Sequence, residues 1–253
     1  MELDNLVKLL KNPTNYVIDI GSSTCCDVDP LYKFITSDNY SGLCIEGNYQ
    51  KALESSTKVS KNFKIVNQFV NPDNIIEIFN ALNVPTIFDI LKIDIDGYDL
   101  ALAKKIIEKY KPSYIIIEYN EKIPPPIKFE VLYKRDYSWD NTHFFGFSIS
   151  TGEEQFNKIN YCFYDIYDIN NLLFINKDIM NDMNLKDGNI NDSFDNHYKY
   201  NLISKKKFFW NSDVEYWLNI KNREDLKNEI IEYFEKRNPR RNYKKVNDDF
   251  ICE

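Results

Sequence analysis

The chain alternates short apolar runs with stretches of helical period over its first 120 residues. Tyr16–Gly21 reads as a buried strand ending in a turn, and a helix from about Pro30 to Ser37 follows. Gly42–Glu46 is a second strand, with a helix near Asn48 to Ser55, and Phe63–Asn67 is a third. Asn71-Pro72-Asp73 looks like an N-cap with proline at the first helical position, opening a helix to about Leu82. Ile87–Asp94 is the fourth strand, Tyr98–Tyr110 the next helix, and Ser113–Glu118 the fifth strand. Strands that are apolar on both faces and alternate with helices indicate a parallel sheet with right-handed crossovers.

The pattern changes after Asn120. Pro124-Pro125-Pro126 excludes helix and central strand. Residues 127–150 are aromatic-rich and irregular. Thr151-Gly152-Glu153-Glu154 offers a capping box for a helix to about Asn160. Tyr161–Ile166 and Asn171–Ile175 then read as a hairpin, and 176–200 as a polar long loop or partly ordered lid. Ser212-Asp213-Val214-Glu215 is a second capping box, and Arg223 to Lys236 an amphipathic helix. No linker clearly divides the chain. The expected organisation is a catalytic domain over 1–176, with a polar loop and helical extension over 177–253 packed on it.

Composition narrows the classes. The chain has 253 residues, 43% of them hydrophobic, which is enough to fold alone. No apolar run approaches the ~20 residues of a membrane helix, and Met1–Lys11 lacks the apolar core of a signal peptide. Five cysteines without a C-x-x-C pair form no zinc or disulfide framework. Reduced thiols and a cytoplasmic location are the expectation. A formal charge of −7 argues against a broad nucleic-acid grip. Only the end is basic, through Lys236, Arg237, Arg240, Arg241, Lys244 and Lys245.

Candidate chemistry gathers at the carboxyl ends of the strands, where open parallel sheets bind ligands. Asp19 and Gly21 follow the first strand, Glu46 ends the second, and Asn67 and Gln68 end the third. Asp94 and Asp96-Gly97 follow the fourth, and Glu118 and Asn120 the fifth. An acid ending the second strand suits a ribose diol, because one carboxylate accepts from two hydroxyls. Asp19-Ile20-Gly21 with Ser22-Ser23-Thr24 is a turn that admits a ligand to backbone N–H groups, yet it is not the G-x-G-x-x-G fingerprint. A pyrophosphate needs close backbone approach and helix-end amides, and a nucleoside without phosphates does not, so the balance moves from NAD toward S-adenosylmethionine.

These segments resemble the FkbM-type S-adenosylmethionine-dependent methyltransferases. The resemblance rests on Tyr16–Gly21, Ile45-Glu46-Gly47-Asn48, Leu91–Asp99 and Ile116–Asn120, and more loosely on Phe145–Ser148 and Asn171–Ile175. It implies a class I methyltransferase fold: α/β, a Rossmann-like, mostly parallel seven-stranded sheet whose last two strands form an antiparallel hairpin. It also implies methylation of hydroxyls on sugars or other natural products, so a sugar or glycan acceptor is the expected partner. The family's glycine-rich turn reads D-x-G-x-x-x-G, and Cys25 stands here in place of its second glycine.

Asp19, Gly21, Ser22, Glu46 and Asn67 are the candidate cofactor residues. Asp94 and His143 are the candidate catalytic residues, since a neutral alcohol needs its proton removed. An acid ending an apolar strand must be solvated, paired or coordinated. Adjacent strand ends lie ~4.8 Å apart, so Asp94, Asp96 and Asn120, with Glu118 beside them, form a candidate oxygen-ligand set for Mg²⁺ or Ca²⁺. Tyr119, Tyr133, Tyr137, Trp139, Phe144 and Phe145 are aromatics for a sugar face or a sulfonium ion, or else core. Two other readings stay open. Asp94-Ile95-Asp96-Gly97 resembles the D-x-D-G strand end of haloacid dehalogenase-type phosphatases, and a non-catalytic adaptor could keep the same fold.

Overall fold

The computed structural model describes residues 2–139, 141–168, 170–203, 213–237, 243–246 and 249–252. In chain order the elements begin with α1 (Leu3–Val7), β1 (Tyr16–Ile20), α2 (Tyr32–Ile35), β2 (Ser41–Glu46) and α3 (Tyr49–Ser55). They continue with β3 (Phe63–Asn67), α4 (Ile75–Ala81), β4 (Ile87–Ile93), α5 (Asp99–Ile107) and β5 (Lys111–Glu118). The second half holds β6 (Phe129–Val131), α6 (Ile149–Lys158), β7 (Tyr161–Ile166), β8 (Asn171–Asn176), α7 (Lys177–Asp182) and α8 (Ile190–Ile203). A 3-10 turn at Glu215–Asn219, α9 (Arg223–Arg237), β9 (Tyr243–Val246) and β10 (Asp249–Cys252) complete it.

Seven strands form one sheet in the order β3-β2-β1-β4-β5-β8-β7. Strands β1 to β5 pair in parallel, and β8 runs antiparallel to both β5 and β7. This is the mostly parallel, Rossmann-like seven-stranded sheet that the sequence leads one to expect, closed by the predicted antiparallel hairpin. Strand order reverses between β1 and β4, which places the crevice over their carboxyl ends. Ile18, Ile20, Leu91, Ile93, Ile115 and Ile117 pack one face of the sheet, while Val17, Cys44, Ile90, Tyr114 and Ile116 pack the other. That two-sided burial explains why these strands read as continuous apolar runs. No helix among the described residues is long and apolar enough to cross a membrane.

Several local expectations are corrected. Residues 176–200 are not a loop, since α7 and α8 occupy most of them. The Asn176 side chain accepts from the Asp178 amide, Asn189 accepts from the Asn191 and Asp192 amides, and buried Phe194 anchors α8. An asparagine-rich stretch therefore holds capping residues as well as loop formers. Helix α6 is capped by Ser148, whose hydroxyl accepts from the Thr151 amide, so the Thr151 box lies inside the helix. Asn71 accepts from the Asp73 and Asn74 amides and makes a turn, delaying α4 to Ile75. Within 127–150, β6 forms and pairs with β10 in a second, three-stranded sheet. Ser212, Arg240 and Arg241 lie outside the described residues.

A third apolar cluster joins α9 to the region after β5. Ile123, Phe129, Phe144, Trp217, Ile230 and Phe234 meet there. Phe234 stacks on Phe129 at 5.4 Å and meets Phe144 edge-on at 5.3 Å.

Candidate active site

Two cavities open side by side above the carboxyl ends of the strands, of about 710 Å³ and about 700 Å³. Both lie within the range of small-molecule sites. Asp96 and Trp139 line both.

The first cavity lies over β1, β2, β3 and β4, and Gly21, Glu46, Gln68 and Asp94 line it. Gly21 has φ +78, and an added Cβ would collide with the Asp94 carbonyl oxygen, so only glycine brings the end of β1 this close to β4. The amides of this turn are already used. Gly21 and Ser22 N–H donate to Ile45 O at 2.8 and 3.2 Å, and Ser23 N–H donates to Glu46 Oε2 at 2.8 Å. Glu46 Oε1 accepts from Asn48 N–H at 2.7 Å. Each carboxylate oxygen so fixed keeps a further lone pair for a ligand hydroxyl.

Asn67 and Ser22 do not line this cavity. Asn67 Nδ2 donates to the Glu46 and Gly47 carbonyls and braces the end of β2. The Ser22 hydroxyl is buried with no hydrogen-bond partner. Cys25 adopts φ +46, the left-handed backbone that the missing glycine would favour. Hydrogen bonding to Cys44 lowers its thiol to about 7, against burial.

Asp19 is fully buried behind the cavity and pairs with Lys92 at 3.2 Å. Lys92 is only 1% exposed and also reaches Asp29 at 3.1 Å and Asp94 at 3.7 Å. Burial works against its charge, but the three carboxylates outweigh that and hold its ammonium above the usual value. Burial pushes the Asp19 carboxyl up, with Lys92 opposing. Sequence reasoning missed Lys92. Its signal was a lone lysine inside the apolar run Ile90-Leu91-Lys92-Ile93, two residues before the strand-end acid.

Asp94 is 30% exposed and faces the first cavity. Burial raises its pKa, and Lys92 partly offsets this. Asp96 is exposed, with φ +54. Asp99 fixes the turn between them and α5: Ile95 N–H donates to its Oδ1 at 2.8 Å and Gly97 N–H to its Oδ2 at 2.9 Å. Burial pushes its pKa up to about 7.

The second cavity is lined by Glu118, Lys122, His143, Asp213 and Tyr233, among others. His143 Nε2 lies 2.9 Å from Asp213 Oδ1, and Tyr233 OH donates to Asp213 Oδ2 at 2.6 Å. Burial pulls the His143 imidazole below its ordinary pKa, and Asp213 opposes this only in part. Against burial, hydrogen bonds from Tyr233 and His143 hold Asp213 below the usual carboxylate range. Asp213 and Tyr233 come from the C-terminal part, which sequence reasoning gave no place in the site.

Asn120 is fully buried and turned to the loop that carries His143. Its Nδ2 donates to His143 O at 2.8 Å and Phe145 O at 3.0 Å, and its Oδ1 accepts from Lys122 N–H at 3.3 Å. The acids brought together at the strand ends are Asp94, Asp96 and Glu118. Of the aromatics, Tyr119, Phe144 and Phe145 are buried, whereas Tyr137 and Trp139 line the first cavity and Trp139 is 39% exposed. Phe69, 75% exposed on the wall of that cavity, was not anticipated.

Solved structures resemble the chain only at low similarity. The N-terminal domain of EvdMO1 with SAH bound is 11% identical, over 68% of this chain and 78% of that one, with a TM-score of 0.44. A SAM-dependent methyltransferase from Aquifex aeolicus is 12% identical over 68% and 85%, with a TM-score of 0.39. The plantazolicin methyltransferase BamL, in complex with a triazolic desmethylPZN analog and SAH, is 14% identical over 47% and 44%, with a TM-score of 0.33. The chain spans less than half the length of BamL. No family model and no curated protein matches the sequence.

Proposed function

We propose that this chain is an S-adenosylmethionine-dependent O-methyltransferase of the FkbM type, acting on a hydroxyl of a sugar or glycan. One observation carries the reading. A cavity holding a fixed carboxylate, Glu46, adjoins at the reversal of strand order a second cavity holding a histidine, His143, and the two share a wall at Asp96 and Trp139.

The residues present fit the cofactor. Glu46 offers its remaining lone pairs to a ribose diol. The glycine turn leaves room where any side chain would collide with the Asp94 carbonyl. Phe69 and Trp139 supply apolar surface to the same cavity. When bound, S-adenosylmethionine supplies a sulfonium methyl whose carbon–sulfur electrons return to sulfur on transfer.

The chain's own work is alignment and proton removal. Nε2–H of His143 donates to Asp213, which selects the neutral tautomer that leaves Nδ1 able to accept a proton. His143 Nδ1 would take the proton of an acceptor hydroxyl that enters the second cavity. Asn120 grips the His143 carbonyl and sets the loop that carries this base. Asp94 faces the first cavity beside Lys92, placed to hold a cationic group of the cofactor.

Thermal shift with S-adenosylmethionine and S-adenosylhomocysteine tests the reading. A ligand at a hundred times its Kd adds about 2.7 kcal/mol. A clear rise in Tm is expected for the wild type and a smaller one for Glu46→Ala. No rise, as a non-catalytic adaptor requires, or an equal rise in the variant, overturns it.

A further inference from the structure

We propose that Cys25 and Cys44 form a peroxide-sensitive thiol pair, which closes to a disulfide beneath the first cavity. The two sulfurs and a carboxylate oxygen of Asp19 lie within 4.8 Å of one another. Both thiols are free and buried. Lys92 stands 3.2 Å from Asp19 Oδ1, and its ammonium repels a metal cation from the group.

The backbone sets the pair. Cys44 lies on β2 in register with Asp19 of β1. The chain leaves β1 at Gly21, and the Cys25 N–H turns back to donate to Ser22 O at 3.0 Å. With φ at +46, Cys25 returns its side chain to the buried face of the sheet, in one apolar cluster with Val17, Leu31 and Cys44. Ser55 Oγ braces this turn from α3 by donating to Ser23 O at 2.7 Å.

The two thiols differ chemically. A hydrogen bond from Cys44 brings the Cys25 thiol down to about 7, whereas the same bond and burial push Cys44 up. Cys25 is therefore the attacking sulfur and Cys44 the resolving one. An independent observation supplies the base. Asp19 is fully buried, and its Oδ2 has no hydrogen-bond partner among the described residues. Burial favours the neutral form of this carboxyl, so Asp19 takes the Cys25 proton.

The Cys25 thiolate attacks hydrogen peroxide. An S–O bond forms, the O–O bond breaks, and hydroxide leaves as water with the proton from Asp19. The Cys44 sulfur then attacks the Cys25 sulfur. An S–S bond forms, the S–O bond breaks, and the second hydroxide leaves as water with the Cys44 proton. The thiols lose two electrons, and one peroxide is reduced to two waters. Hydrogen peroxide is little larger than water, and the first cavity reaches Gly21 and Ser23 of the same turn. Left-handed backbone at Ser23 and Cys25 is costly for residues other than glycine and eases opening of the turn.

Closure draws Cys25 onto β2, and with it Ser23, whose N–H fixes Glu46 Oε2. Under the methyltransferase reading, on which this step alone rests, the oxidised chain holds the cofactor less well.

The test is peptide mapping by mass spectrometry of the folded full chain after hydrogen peroxide, with free thiols alkylated before digestion. A crosslink between the Cys25 and Cys44 peptides, reversed by dithiothreitol, is expected. It should survive in Cys26→Ser and vanish in Cys25→Ser. No crosslink in the wild type, or one lost in Cys26→Ser, overturns the proposal, and neither result needs a buried variant to fold. The Tm rise with S-adenosylhomocysteine should be smaller after oxidation and return with dithiothreitol; an equal rise in both states overturns the step at the cofactor cavity. A rise in the reduced chain without a crosslink sinks the thiol pair alone, and a crosslink without any rise sinks the cofactor reading alone.

Discussion

The Gly21 α-carbon abuts the Asp94 carbonyl so closely that an added methyl group would take the oxygen's place. Gly21→Ala therefore forces the ends of β1 and β4 apart and strains a φ of +78. The expected cost is about 1–3 kcal/mol from backbone strain alone. Urea denaturation checks the stability, and the Tm rise with S-adenosylhomocysteine should shrink in the same variant.

Lys92 holds three carboxylates from an almost wholly buried position. Removing one partner of such a pair leaves uncompensated charge and costs about 3–5 kcal/mol. Lys92→Met should lose stability on that scale in chemical denaturation. Lys92→Met combined with Asp19→Asn should recover part of it, and strict additivity of the two losses would refute the pairing.

His143 titrates below its ordinary value because it is buried. Its proton-accepting form is thus present through neutral pH, and the acidic limb of the pH–rate profile should inflect below about 6.5. Asp213→Asn removes a group that raises this pKa and should move the limb lower. His143→Ala should cut kcat by about 10²–10⁴. The stability effect has the same sign. As pH falls, the unfolded chain takes up the proton first, so the wild type should lose more Tm than His143→Gln on going from neutral to mildly acid buffer.

Phe234 is 1% exposed between Phe129 and Phe144. Phe234→Ala should cost about 3–5 kcal/mol locally. Turnover should fall through loss of the Asp213 and Tyr233 wall, while the response to S-adenosylhomocysteine persists. Equal loss of both would mean that the cluster supports the whole sheet.

The five parallel strands and the hairpin were legible because two-sided burial writes itself as apolar runs, and strand ends as polar punctuation. Glu46 and Asp94 reached a cavity wall for that reason, and His143 because it is a histidine in the loop region after the fifth strand, where a proton acceptor was sought. Asp19 and Asn67 stand at equally plausible strand ends, but Asp19 points to Lys92 behind the wall and Asn67 to the β2 carbonyls. Spacing along the chain does not tell which side of a strand end faces the ligand. Asp213 and Tyr233 were invisible for another reason. They reach His143 from 70 and 90 positions away, through the packing of α9, and nothing in their neighbourhood marks it.

Trp139 is held by its indole N–H, which donates to Thr142 O at 2.8 Å, and it faces both cavities. A guest that shifts this ring from one side alters the fit offered on the other. Affinities at the two cavities are then thermodynamically coupled, and the coupling is reciprocal: whatever factor the first ligand adds to binding of the second, the second must return to the first.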